Sequence, residues 1–344
     1  MKPYLISKGR RYEEKEDTLI ADPFLNDYTK IIQSKAYRRL AFKTQVVSLP
    51  DNPHMRTRLV HTEEVVSIAL AIATQLGLNP YLCMAIAAVH DIGHTPFGHI
   101  GEQTLTKIGG KPFRHEVNSV VIAQHIERKG KGLNLSYETL EGGINHSRGS
   151  GELSIDPGLP QEYNAVLFAD KIAYTVSDPD DAVRYGYIDR ETVLEKTKKL
   201  GRNQRKRVNN LVSALVEESK RKGFVSFSEG EMFEEFEKAR QFMYKDVYAH
   251  IDTSLQEQII HGICDYFAGS DYFGGVEPVF LTSLLTDKEA VSFGSYMLKC
   301  RRPKIEEIAH FGIFEILPYI KGGEIDYTNP DLDWGKNSLD AIAR

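Results

Sequence analysis

Apolar residues recur at spacings of three and four along most of the chain, and very few stretches alternate with a period of two, so the pattern predicts an all-α fold. The clearest stripe runs His61, Val65, Ile68, Ile72 and Leu76 and is closed by Gly77. Asn79-Pro80 reads as a cap followed by proline at the first helical position, and Leu82, Ile86 and His90 then fall four apart. Gly93 is expected to end that helix in a left-handed turn, with Thr95-Pro96 as cap and first residue of the next segment. Upstream, residues 1–34 are polar and mixed, with a turn at Asp22-Pro23 and helix from near Tyr28 to Ala36. Downstream, an apolar segment spans Val117 to Ile126, and the glycine-rich run Gly132 to Ser147 reads as a structured loop plus a short helix, with His146 structural. Helical spacing returns over Glu162 to Ser177, then over Gln204 to Lys222, Glu229 to Tyr248, Ser254 to Phe267 and Pro278 to Arg301.

Three of these stripes break for polar groups. His61 and His90 stand where leucines are expected, Asp91 follows His90, and Asp170 shares an otherwise small and apolar face with Val166, Ala173 and Ser177. Burying such groups unpaired costs several kcal/mol, roughly 2 to 7 each, so packing alone does not account for them. Two imidazoles and two carboxylates converging from separate helices make a mixed nitrogen and oxygen site, suited to Mn, Fe, Zn or Mg rather than to copper or an iron-sulfur cluster. Such an ion makes water acidic near neutral pH and offsets charge on phosphoryl oxygens, which points to hydrolysis of a phosphate ester. His94, His99 and His115 remain for proton transfer. His99 and Glu102, three apart, can pair on one helix so that the carboxylate orients the ring.

Composition changes little in this picture: 344 residues, 41% hydrophobic, 26% charged and a net charge of -5 exclude a chain that coats nucleic acid or membrane as a whole. Cys83, Cys264 and Cys300 are too few and too scattered for a disulfide framework or a Cys-x-x-Cys zinc site, and fit a reducing cytoplasm. The charged first residues do not resemble a signal peptide and no apolar run is long enough to span a bilayer, so a cytoplasmic protein without membrane contact is expected. Locally the charge is different. Lys35, Arg38, Arg39, Lys43, Arg56 and Arg58 face one acid, Asp51, which suggests a polyanion site. Arg202, Arg205, Lys206 and Arg207 read as a solvated helix start, or as a second nucleotide site or a contact for an anionic partner. The glycines of 132–147 lack the spacing of a Walker loop or dinucleotide fingerprint.

The spaced set His61, His90-Asp91, Asp170 resembles that of the HD-domain metal-dependent phosphohydrolases. Within them, RRLAFKTQV (Arg38 to Val46), RTRLVHTEEV (Arg56 to Val65), HDIGHTPFGHIGE (His90 to Glu102), FRHEVNS (Phe113 to Ser119) and the GLNL to INH stretch resemble the deoxynucleoside triphosphate triphosphohydrolases. These are the bacterial dGTPases and their mammalian SAM- and HD-domain relative. The similarity covers about Lys35 to Asp181; the C-terminal third matches only in helical character.

The resemblance implies an HD-domain helical fold with additional C-terminal helices: a catalytic core over 1–190 and a region over 191–344 packed on it and not independent. It implies a divalent metal held by His61, His90, Asp91 and Asp170, and cleavage of a dNTP to deoxynucleoside and triphosphate, with His99 giving a proton to the 5′ oxygen. Glu102 would assist His99, His115 would be a second active-site histidine, and His94 would touch the phosphates. Arg58 and Lys171 would hold the triphosphate, Gln45 the 3′-hydroxyl, and Tyr174 with Asp178 the sugar side. Homo-oligomers and an allosteric nucleotide are the partners it suggests, and the basic clusters add single-stranded nucleic acid. Glu116 and Asn118 stand where many bacterial members have Asn-x-Gln, and Lys171 stands in place of a common Glu, departures that bear on base preference and activation. An HD enzyme for another nucleotide and a nucleotide-sensing or nucleic-acid-binding protein are the alternatives.

Overall fold

The computed structural model describes residues 1–14, 20–46, 54–147, 153, 155–323 and 325–334; Asp51 of the basic stretch lies outside them. The chain is all-α. Its helices are α1 (Pro23–Ile32), α2 (Lys35–Arg39), α3 (Arg58–Leu76), α4 (Pro80–Val89), α5 (His99–Gly109), α6 (His115–Val121), the one-turn α7 (Glu127–Gly130), α8 (Tyr137–Asn145) and α9 (Gln161–Tyr185). The C-terminal half adds α10 (Arg190–Thr197), α11 (Gln204–Lys222), α12 (Glu231–Phe242), α13 (Ser254–Ala268), α14 (Pro278–Ser283), α15 (Asp287–Leu298), α16 (Ile305–Ile308) and α17 (Ile313–Ile320). Among the described residues there are no strands, only isolated bridges between Arg10 and Ser136 and between Thr44 and Thr57.

Local chemistry sets the ends of α3 and α4. Gly77 takes the left-handed conformation (φ 66°) that stops α3, and the Asn79 side chain accepts from the N–H groups of Tyr81 and Leu82 to start α4 at Pro80. The same logic corrects the expected turn at Asp22-Pro23. Asp22 Oδ1 accepts from Phe24 N at 2.9 Å and Leu25 N at 3.0 Å, so this dipeptide opens α1, and Ser34 caps a separate α2.

Further expectations are revised. Gly93 is not left-handed; the positive φ angles lie at Phe97 (62°) and Gly98 (59°), and the next helix starts at His99 rather than at Thr95-Pro96. Thr95 instead closes the turn, its hydroxyl donating to Gly98 O at 2.8 Å. The apolar segment after His115 widens into a π-turn over Ile122–Ile126, and Glu229 to Tyr248 ends in a π-turn, Met243–Val247, and a 3-10 turn, Tyr248–His250. Pro278 to Arg301 is broken at Leu284–Thr286, where Thr286 and Glu289 form a capping box. Arg202, Arg205 and Lys206 are exposed as expected, but Arg207 is buried and donates from Nε to Gly201 O at 3.0 Å.

Helix α4 is the axle. Leu82 and Ile86 join a cluster with Val65 and Ile72 of α3, Val166 and Phe168 of α9, Leu215 of α11 and Phe236 of α12. Ala85, Ala88 and Val89 join a second cluster with Leu105 of α5, Val120 of α6, Ile260 of α13, Phe280 of α14 and Leu317 of α17. Both clusters draw residues from either side of position 190. Helix α3 is the one described helix long and apolar enough to cross a membrane, and half of that window is buried inside the protein. Polar side chains enter where α3, α4 and α9 meet.

Candidate metal centre and active site

His61, in the first turn of α3, His90, at the C-terminus of α4, and Asp170, in the middle of α9, are all buried, and one ligand atom from each lies within 4.8 Å of the others. A second group of the same tightness shares His90 and adds Asp91 and His146. The four sequence-predicted ligands thus fall in two groups joined at His90. His61 Nε2 lies 3.0 Å from Asp170 Oδ1. His90 Nδ1 lies 2.6 Å from the Ala87 carbonyl, to which it must donate, and this fixes the tautomer that leaves a lone pair on Nε2. That Nε2 is buried and has no hydrogen-bond partner, and burial keeps the ring below the usual histidine range. Burial opposes ionisation of Asp91 and Asp170, yet His90 and Arg58 around the first, and Lys171 and His61 around the second, hold both well below the usual carboxylate range. A neutral imidazole with an orphaned nitrogen beside two ionised carboxylates is the donor set that a divalent ion of the Mn, Fe, Zn or Mg class takes.

The turn carrying these groups is clamped from α6. Ser119 Oγ donates to His90 O at 2.8 Å and accepts from Gly93 N at 2.9 Å, while Asn118 Nδ2 donates to Gly93 O at 2.7 Å. This explains Gly93: a Cβ there would lie 2.1 Å from Ser119 N.

A chain of imidazoles and one carboxylate runs beside the ligands. His99 Nδ1 lies 2.6 Å from Glu102 Oε2, as the three-residue spacing predicts. Glu102 Oε1 accepts from His115 N at 2.7 Å and faces His115 Nδ1 at 2.9 Å. Burial alone would depress His115, but the charge and hydrogen bond of Glu102 push it up to about 9. Its Nε2 lies 3.2 Å from His146 Nε2, and His146 Nδ1 donates to Gly143 O at 2.5 Å. His146, read from the sequence as structural, therefore also lies against the candidate ligands His90 and Asp91. His94 stacks on His115 with ring centroids 3.9 Å apart and sits 3.3 Å from Asp91 Oδ1. Burial and the charge of Arg58 hold His94 well below the usual histidine range.

The expected substrate contacts divide into three sets. Arg58 is buried and donates from Nη1 to Asp91 Oδ2 at 2.8 Å, so it is engaged at the metal side. Lys171 is also buried, with Nζ 3.1 Å from Asp170 Oδ2. Tyr174 and Asp178 follow on the same face of α9. There the structure adds residues the sequence did not suggest: Arg240 Nε donates to the Tyr174 hydroxyl at 3.0 Å, and the Tyr248 hydroxyl donates to Asp178 Oδ2 at 2.6 Å. Burial pushes the Asp178 carboxyl up to about 7. Gln45 is partly buried, and its Oε1 has no partner.

Comparisons with known proteins agree with this geometry. The family model for the HD domain matches residues 58–177, from the first residue of α3 into α9. A deoxyguanosinetriphosphate triphosphohydrolase-like protein of Caldanaerobacter subterraneus is 39% identical over 266 residues, 76% of either chain. Proteins of the same description from Clostridium tetani and Clostridium perfringens strain SM101 are 40% identical over 248 residues (70% of either chain) and 41% identical over 271 residues (76% of this chain, 78% of the other). On that identity over most of its length, together with the HD-domain match, the chain belongs to the deoxyguanosinetriphosphate triphosphohydrolase-like family of HD-domain proteins.

Proposed function

We propose that this protein hydrolyses deoxynucleoside triphosphates, dGTP among them, to the deoxynucleoside and inorganic triphosphate. The observation that carries the reading is the His90 Nε2: buried, without a hydrogen bond, fixed in its tautomer by Ala87, 3.4 Å from Asp91 Oδ1, on a residue that groups with His61 and Asp170. The relatives' name supports the substrate class. His61, His90, Asp91 and Asp170 would hold one divalent ion, which when bound supplies Lewis acidity, making water more acidic and offsetting charge on phosphoryl oxygens.

The chain's own residues carry the rest. His99 donates through Nδ1 to Glu102, so Nε2 is the atom that gives a proton to the leaving 5′ oxygen when the bond to the α-phosphorus breaks. Its side chain is 70% exposed, open to an incoming nucleotide. Glu102 sets the ring's orientation and ties it to His115. Lys171 and His94, with the N–H groups of Arg58 not spent on Asp91, supply donors and positive charge for the phosphates. Gln45 reads the 3′-hydroxyl, and Tyr174 and Asp178, held by Arg240 and Tyr248, form the sugar side.

Because both apolar clusters cross position 190, the region 191–344 folds with the core rather than apart from it in this proposal. Oligomers and activation by a second nucleotide belong to the same reading and are tested by size-exclusion chromatography with dNTP mixtures. The decisive experiment incubates metal-defined protein with each dNTP, alone and mixed, and identifies products. Triphosphate plus nucleoside is expected; pyrophosphate plus monophosphate, or no turnover with any dNTP, overturns it.

A further inference from the structure

Two segments of the site hang on one carboxylate from the C-terminal half. Asp287, at the first position of α15, is fully buried. Its Oδ2 accepts from Thr44 N at 3.0 Å and from the Thr44 hydroxyl at 2.5 Å, and its Oδ1 accepts from Phe97 N at 3.1 Å. Lys43, whose ammonium donates to the His94 carbonyl, is close enough for its charge to offset that of Asp287. Thr44 is the residue before Gln45. Phe97 and Gly98, both left-handed, are the two residues before His99. A bulky aromatic rarely adopts such a backbone, so the turn persists only because its neighbours over-determine it.

The break between α14 and α15 puts Asp287 in reach. At that break Leu284 O accepts from Arg39 Nη1 at 3.3 Å, and Ser283 Oγ lies 3.4 Å from Asn118 Nδ2, so the Ser283–Asp287 corner abuts three segments of the N-terminal half. Three donors converge on Asp287. A carboxylate meets all three because both its oxygens only accept, whereas an amide would turn an N–H against an N–H.

We propose that Asp287 is a positioning residue for the reaction: it fixes the Gln45 segment against the turn that presents His99, and so sets the span between the sugar contact and the proton donor. The inference rests on the roles given to Gln45 and His99 under the proposed function. An error of about 1 Å in such a span is worth roughly 100-fold in rate.

The test compares Asp287→Asn, Thr44→Val and Thr44→Ser with His99→Gln and Gln45→Ala, using dGTP and its 2′,3′-dideoxy analogue and measuring bound metal alongside. Asp287→Asn is expected to keep its metal and lose roughly 10- to 100-fold in kcat, with the preference for a 3′-hydroxyl falling toward that of Gln45→Ala. Thr44→Val, which removes only the hydroxyl arm, should raise KM and lower that preference more than it lowers kcat, and Thr44→Ser should restore both. A merely structural role would lower the amount of folded enzyme without moving the 3′-hydroxyl preference. Wild-type kcat, KM and preference in Asp287→Asn, or in Thr44→Val where Asp287→Asn does not fold, overturn the inference if His99→Gln and Gln45→Ala are impaired. If those two variants behave as wild type, the roles given to His99 and Gln45 have failed and the inference falls with them, whereas the proposed function itself fails only if no dNTP yields triphosphate and nucleoside.

Discussion

His99 and Glu102 share a hydrogen bond of 2.6 Å across one turn of α5, with the imidazole side chain 70% exposed and the carboxylate 12% exposed. The buried partner is anchored by His115 and by the backbone, so the exposed ring inherits a fixed orientation at little cost to access.

His99→Gln is accordingly expected to lower kcat by roughly 100- to 10,000-fold while metal content and nucleotide affinity stay near wild type. Glu102→Gln keeps a hydrogen-bonding side chain but removes the charge facing His99 and His115, and should lose less. Steady-state kinetics with titration of a non-hydrolysable dNTP separates turnover from binding. A near-normal rate in His99→Gln would show that the proton comes from elsewhere.

Metal removal gives a second check. Chelation should abolish turnover, and readdition of Mn, Fe, Zn or Mg one at a time should identify the ion that restores it. A ligand binding only the folded state stabilises it by about 2.7 kcal/mol at a hundred times its Kd. Added metal should therefore raise the Tm of wild-type protein and leave that of His90→Ala unchanged. Equal shifts in both proteins would place the binding away from His90.

Where these residues sit was legible to different degrees. His61, His90 and Asp170 were readable because each interrupts a strong apolar stripe, and His99 with Glu102 because helical spacing alone makes them neighbours. His146 was not, because Gly142 and Gly143 look like a loop in isolation. In the fold they let α8 lie against α4: a Cβ on Gly142 would be 2.4 Å from Ile86 Cδ1, and one on Gly143 2.9 Å from Val89 Cγ1. Tyr248 and Arg240 reach α9 only through tertiary packing, which no local pattern encodes. The break before Asp287 lies inside a run of apolar residues at helical spacing, and its one local signature is the capping-box spacing of Thr286 and Glu289.

Gly93 links fold to site, and its replacement should show this. A Cβ at this position would meet backbone atoms of Asn118 and Ser119 at 2.5 and 2.1 Å, and backbone cannot swing aside as a side chain can. Gly93→Ala must push α6 from the turn that carries His90 and Asp91, at a cost of about 1 to 3 kcal/mol or more. Urea unfolding should show that loss, and metal affinity should fall with it. A variant of unchanged stability and metal content would mean that this contact yields freely.

Asp178 offers a test in pH. Burial pushes its carboxyl from 3.8 up to about 7, against the hydrogen bond from Tyr248. Between those values the native protein holds a proton that the unfolded chain has released, so the native state binds more protons and stability falls as pH rises through the window. The contribution is fully present below about 3.8 and is lost as pH passes about 7. A factor of ten in proton affinity is worth about 1.4 kcal/mol, so a shift of this size corresponds to roughly 4 kcal/mol. Asp178→Asn imitates the protonated form and still offers Tyr248 an acceptor. In chelator-treated protein, urea unfolding at about pH 4 should find the two proteins similar, and the advantage of Asp178→Asn should grow as pH rises to about 8. Parallel stability curves across that range would mean that Asp178 ionises as freely as a surface carboxylate, and the buried sugar-side wall built on its pairing with Tyr248 would have to be given up.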